Sequence, residues 1–228
     1  MVEKRENRMN NRELIMRYLL CVVGLFIAAL GVAVTKKGDL GVSPISSVAN
    51  IMSLISDSIS LGTWLIIWNC VLILGQIIIL RKNFKWIQLL QIPFSFLFGI
   101  FIDFGVWILN YVEINSYPMQ MFMVIAGTVL LAFGISLTVI ANVIMNSGEA
   151  FVKAVSDTID KEFGNIKVFF DVSCVIAAVI LSLVFFGFTL QGTREGTIIA
   201  ALLTGVFVKI ITKHISAPIK KSLEKQKF

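Results

Sequence analysis

The chain has 228 residues and a net charge of +6; 57% of it is hydrophobic and 15% charged, with a mean hydropathy of +0.88. A soluble domain is about 45–50% apolar and ~25% charged, so this composition excludes a sizeable soluble domain and describes a polytopic membrane protein. Lys and Arg sit in loops and tails, which reads as membrane topology rather than nucleic-acid binding.

The N-terminus, MVEKRENRMNNRELIMR, is long and charged, and no small-residue cleavage site comes after the next apolar run. It reads as a cytoplasmic tail rather than a cleaved signal peptide. A helix needs ~20 apolar residues to cross a bilayer. Six stretches fit: about 14–35, 62–80, 86–109, 118–141, 166–189 and 197–216. Between the first two lies SPISSVANIMSLISDS, and between the fourth and fifth SGEAFVKAVSDTIDKEFG. Both are too short or too polar to span.

Each of these segments carries a helix-start signal. Ser43 then Pro44 is an N-cap followed by a proline in the first turn. Asn146 with Glu149 three residues on resembles a capping box, which would occupy the free N–H groups there. Two short non-spanning helices are therefore expected, near 44–56 and 148–162. In the second, Phe151, Ala154, Val155, Thr158, Ile159 and Phe163 form one stripe, suited to a membrane surface. The first has a mostly uncharged polar face ending at Asp57 and can instead dip in against other helices.

Two stretches match. GLFIAALGVAVT and GTVLLAFGISLT both fit G-x4-A-x-G-x3-T, with Gly24, Ala29, Gly31 and Thr35 against Gly127, Ala132, Gly134 and Thr138. The residues beyond each stretch agree in outline: Ser43 and Ser147, Gly62 and Gly164, Asn69 and Asp171, Gly99-Ile100-Phe101 and Gly205-Val206-Phe207. With three spans per copy, the second copy enters the membrane from the opposite side, an inverted-topology repeat of the kind found in many transporters. The expected fold is an all-α polytopic membrane protein with six transmembrane helices in two inverted three-helix repeats. It forms one membrane domain over 1–228: a tail at 1–13, a first repeat at 14–115, a second at 116–216 and a tail at 217–228.

With the N-terminus inside, seventeen of the twenty Lys and Arg fall on the cytoplasmic side; Lys36, Lys37 and Arg194 stay outside. This positive-inside bias puts both termini in the cytoplasm. Trp64, Trp107, Tyr111 and Tyr117 then form an outer aromatic belt, and Trp86 and Tyr18 an inner one.

Intramembrane polar residues are the candidates for function. Asp103 lies in FGIFIDFGVW, and Asn69 and Asp171 occupy matched positions. Ser43 and Pro44 open a short helix after an unwound stretch, where free N–H groups can bind a polar ligand. A substrate site between the halves, built from Ser43, Pro44, Asn69, Asp103 and Asp171, is the expectation. Arg194 and Glu195 read as a surface pair, and Lys209 as a positive-inside anchor. Cys21, Cys70 and Cys174 read as small packing residues. No hydrolase, P-loop or Cys/His metal pattern occurs, so the reading implies no enzyme, no cofactor and no metal site.

An early Gly-Ala-Gly span, then Leu40-Gly41-Val42-Ser43-Pro44, then QIPFSFLFGIFID at 91–103 and a late Gly-Thr before the last span resemble the bacterial YczE/YyaS/YitT-type membrane proteins. The resemblance covers about 20–215 and implies a multi-pass protein of the bacterial cytoplasmic membrane. The second half departs from it, with Asn146-Ser147-Gly148-Glu149 in place of the Gly-x-x-Pro of Gly41–Pro44. Size and layout are also similar to the substrate-binding S-components of energy-coupling-factor vitamin transporters. That likeness implies a small-residue face for a partner, for which Ala29 and Ala33 would serve. Two functions stay open: a transporter or binder of a small solute, or a non-transporting scaffold or accessory subunit. The partners implied are the lipid bilayer, a small-molecule solute, and a second copy or another membrane protein.

Overall fold

The computed structural model describes residues 11–56, 58–187 and 189–224; Asp57 and residues 1–10 of the expected tail lie outside the described residues. Among the described residues the fold is all helical, without strands. Helix α1 spans Asn11–Lys37, α2 Pro44–Ile55, α3 Leu61–Leu80, α4 Gln91–Leu109, α5 Tyr117–Ala141, α6 Ser147–Ile159, α7 Phe163–Phe185 and α8 Glu195–Glu224. Six of them (α1, α3, α4, α5, α7 and α8) are long and apolar enough to cross a membrane. The two short helices sit where the sequence placed them, and α8 stays helical past residue 216.

The centre of the bundle is the antiparallel contact of α1 with α5. It forms because glycines remove the side chains that would hold two helix backbones apart. A Cβ on Gly24 would lie 2.8 Å from the carbonyl oxygen of Gly134 and 2.9 Å from Cγ2 of Thr138. The main apolar core surrounds this seam: Leu25, Ala28, Ala29 and Val32 of α1, Leu61 and Leu65 of α3, Phe98 and Ile102 of α4, and Leu131 of α5. A smaller cluster joins Val48 and Ile51 of α2 to Cys174 and Ala178 of α7.

Helix packing comes in matched pairs. α1 lies on α4 as α5 lies on α8; α2 lies on α3 as α6 lies on α7; α2 packs on α7 as α6 packs on α3. Three pairs have no counterpart: α8 also touches α1 and α2, whereas α4 makes few contacts or none with α5 and α6. α3 and α4 pack closely, whereas α7 and α8 make only marginal contact.

The bundle has a basic end, carrying Arg17 and Arg81, and a far end, carrying Lys36 and Asn115. At the basic end Arg17 donates to Glu13 Oε1 at 2.9 and 3.1 Å and to the Ala141 carbonyl at 3.0 Å. It thereby ties the start of α1 to the C-terminal end of α5, a favourable place for a cation. At the far end the chain leaving α1 folds inward over residues 38–43, and Leu40 O accepts from Gly196 N at 2.8 Å. Gly41 takes φ +114° there, in contact with Thr197. A side chain would be both strained and blocked.

α2 is buried along most of its length, as an inward-dipping helix must be. The expectation for α6 needs correcting. Its buried residues are Ser147, Gly148, Ala150, Val152, Ala154 and Ser156; of the expected stripe Ala154 is buried and Phe151 and Val155 half-buried, while Thr158, Ile159 and Phe163 are exposed. Small residues win this face because α6 packs on α3 and α7 rather than lying on a surface.

Candidate functional site

The N-terminal ends of α2 and α6 meet inside the bundle: a Cβ on Gly148 would lie 2.8 Å from Cδ1 of Ile45. Each comes after an extended approach and leads back to the end it came from, α2 to Ser53 beside Lys36, and α6 to Asp160 and the start of α7. Ser43 is the N-cap of α2 with Pro44 in its first turn, and Asn146 is the N-cap of α6. Ser43 Oγ hydrogen-bonds Ser46 Oγ at 2.9 Å and does not cap its helix; Pro44 has no N–H, and Ser46 N donates to the Ser43 carbonyl at 2.9 Å. Asn146 Oδ1 accepts from Ser147 N at 2.9 Å.

A belt of buried amides and hydroxyls lies on the basic side of this junction. Gln76 and Gln91 donate to each other reciprocally at 3.1 Å. Gln76 Nε2 also donates to the Ser147 carbonyl at 3.2 Å, and the Ser95 and Ser147 hydroxyls hydrogen-bond each other at 3.2 Å. Gln76 is fully buried and Ser147 nearly so. Beside the belt, Cys21, Thr138 and Asn146 help enclose a crevice of about 20 Å³, room for about one water.

The charged part is on α6 and α7. Lys167 Nζ donates to Asp171 Oδ1 and Oδ2 at 2.5 and 2.7 Å. Glu149, half-buried as a residue, has its Oε2 shut off from solvent with no hydrogen-bond partner. Burial pushes its carboxyl above the usual carboxylate range, against the pull of the Lys167 ammonium. The capping box expected here is incomplete: Asn146 serves Ser147 N.

The five expected site residues do not converge. Ser43 and Pro44 stand at the junction. Asp171 lies one turn from Cys174, whose carbonyl is 3.3 Å from the Ser47 hydroxyl of α2. Asn69 is buried on the same face of α3 as Gln76, and its side chain makes no hydrogen bond among the described residues. Asp103 is held apart, at the far end, where Ser60 Oγ and Gly62 N donate to its carboxylate at 2.6 and 2.8 Å. The N-terminal turn of α3, where Ser60 Oγ also accepts from Thr63 N at 3.1 Å, is a natural seat for a carboxylate. Next to it, Lys36 donates to Ser53 at 3.2 Å. Lys36 also borders an open recess of about 430 Å³ with Glu113 and Asn115.

Two further expectations meet the structure. Ala29 and Ala33 are buried inside the bundle, Ala33 against Gly105, so they offer no face to a docking partner. Arg194 and Glu195 pair at 3.2 Å on the surface, as expected. The sequence reading missed Gln76, Gln91, Ser95 and Glu149 as site residues. For Gln76 the signal was available: an amide in LILGQIIIL is as conspicuous as Asn69.

Known proteins place the chain in a group. It is similar to the uncharacterized protein YyaS of Bacillus subtilis (strain 168), 25% identical over 210 residues, covering 87% of this chain and 96% of that one. It is also similar to the uncharacterized membrane protein YczE of the same organism, 26% identical over 201 residues, covering 87% and 86%. No solved structure matches. With six apolar helices and such a relative, this is a multi-pass integral membrane protein. The match to the family of unknown function DUF6198 spans residues 15–213, and the chain belongs to that family.

Proposed function

We propose that the protein is a small-solute transporter of the bacterial cytoplasmic membrane, built of two inverted halves, with its substrate site where α2 and α6 meet. The meeting of two helix N-termini inside the bundle carries this reading. Such ends present unpaired N–H groups and positive dipole ends to a polar or anionic solute, and transporters of inverted repeats place their sites at such breaks. The matched packing of the halves supports the inverted arrangement. The reading involves no covalent chemistry. Ser43, Pro44, Asn69 and Asp171 are the expected residues nearest this site, joined by Ser147 and Glu149; Asp103 serves the far end.

The test is a stabilisation screen of metabolites against purified protein, then uptake into proteoliposomes. A solute that binds only the folded state raises its melting temperature. Gly148→Leu, which fills the junction, is expected to abolish both responses. A solute bound and transported equally well by Gly148→Leu places the site elsewhere. Orientation is tested by fusion: a cytoplasm-active fluorescent reporter after residue 228 is expected to light up, and a periplasm-active phosphatase near Asn115 to be active. The opposite pair of results removes the assignment of both termini to the cytoplasm.

A second reading rests on α8, which is barely buried. A helix so exposed suits an accessory subunit whose α7 and α8 face a second copy or another membrane protein. A monomeric state in bilayers together with solute uptake excludes it.

A further inference from the structure

Two carboxylates share one ammonium on the inner sides of α6 and α7. Lys167 is committed to Asp171 through both carboxylate oxygens, at 2.5 and 2.7 Å. Asp171 lies eight residues into α7, about 12 Å along the helix at 1.5 Å per residue. Glu149 has the same Lys167 and Asp171 as its charged neighbours, while its Oε2 touches neither solvent nor a hydrogen-bond partner. Among the described residues no other charged group acts on it. Its neighbours on α6 meet uncharged groups: Ser147 meets the Gln76 amide of α3 and the Ser95 hydroxyl of α4, Gly148 faces Ile45 of α2, and the Asn146 side chain lies beside the carboxyl itself. Lys153, on α6 itself, is taken by Asp157 at 3.0 Å on the exposed side. With every group ionised the cluster carries one uncompensated negative charge in a poorly solvated place. Two carboxylates that share a site resolve this by one of them keeping a proton.

We propose that Glu149 is a proton-binding site, protonated at neutral pH while Lys167 pairs with Asp171 and ionised when Lys167 turns to Glu149. The exchange is a simple acid dissociation: the Oε2–H bond breaks, the proton passes to water at the basic end, and the carboxylate takes up the ammonium. Lys167 thus acts as a two-position switch between a carboxylate four residues along its own helix and one on α6. Resting on the transporter reading, this proton is the coupling ion.

The proton site is tested without any solute. Infrared spectra of the purified parent, titrated from about pH 5 to pH 9 to bracket an elevated carboxyl, are expected to retain a protonated-carboxyl band at neutral pH. Glu149→Gln is expected to remove it. Asp171→Asn, which frees Lys167, is expected to make the band disappear at lower pH than in the parent. The melting temperature gives a second readout. A carboxyl raised in the folded state contributes stability below its ordinary pKa that is lost as pH rises through the folded value. The parent is therefore expected to lose melting temperature over that window, and Glu149→Gln to be flat there. A parent without the band at neutral pH overturns the proposal. So does an Asp171→Asn titration superimposable on the parent's, which remains decisive if Glu149→Gln fails to fold. Coupling is read separately: in proteoliposomes a pH gradient accelerates uptake by the parent and not by Glu149→Gln. A proton site found by infrared with uptake indifferent to the gradient leaves Glu149 as the site and rejects the proton as coupling ion, and no uptake at all rejects the transporter reading.

Discussion

Gly31 and Gly127 face each other backbone to backbone: a Cβ on either would lie 2.7 Å from the carbonyl oxygen of the other. Gly24 and Gly134 repeat the arrangement two turns away, and Thr35 touches Gly127 as Thr138 touches Gly24. The glycines and threonines of the α1 motif therefore meet those of the α5 motif, in reversed order. Reciprocal contact of this kind is what a two-fold relation between like surfaces produces.

Gly31→Ala and Gly127→Ala are each expected to cost about 1–3 kcal/mol, the range for overpacking a tight contact. Their double mutant should cost less than the sum, because one separation of the helices relieves both clashes. Gly205→Ala, which meets nothing within 4 Å, should stay within about 0.5 kcal/mol of the parent. Denaturation of the four proteins in one detergent checks this. Equal effects at Gly31 and Gly205 would contradict the close seam.

The reciprocal pair Gln76–Gln91 supplies a second test. Gln76→Leu leaves the Gln91 amide buried without its partner and should cost about 1–3 kcal/mol. Gln76→Leu/Gln91→Leu should recover part of that loss, since two apolar side chains leave no orphan there. A double mutant weaker than either single would show that the pair acts through Ser147 instead.

Asp103 is expected to govern stability rather than solute handling. Its bonds to Ser60 Oγ and Gly62 N involve a charged acceptor, and Asp103→Asn should cost about 1.5–3 kcal/mol. Stabilisation by a bound solute should persist. Loss of that response in a folded Asp103→Asn protein would return the carboxylate to the substrate site.

Removing Arg17 isolates a buried carboxylate. Glu13 is almost fully buried, and Arg17 is its cation. Arg17→Met should therefore cost about 3–5 kcal/mol, while Glu13→Gln/Arg17→Met should be close to the parent. Thermal melts of the two variants decide it.

Helix number and type were legible because length and apolarity alone decide what crosses a bilayer. The starts of α2 and α6 were legible too, since Ser43-Pro44 and Asn146 are local signals needing no partner. Depth was not legible. Glu149 and Lys167 look like a solvated polar face in SGEAFVKAVSDTIDKEFG and just beyond it, and only the packing of α6 on α3 and α7 encloses the carboxyl. The surroundings of Asp103 were not legible either, because a sequence shows a carboxylate in an apolar run but not the helix start beside it. Gly62 makes that approach possible: a Cβ there would lie 2.6 Å from Cγ of Asp103.

The two halves also differ in how far they are closed. α3 and α4 pack closely, while α7 and α8 share little contact and expose apolar side chains such as Val184 and Leu202. In a bilayer, acyl chains are expected to cover those side chains. Annular lipid thereby becomes a structural component of the second half, substituting for the side-chain contacts that the first half makes for itself. Stripping lipid with harsh detergent should loosen α8 first. Amide exchange there should accelerate while the α1–α5 seam keeps its protection.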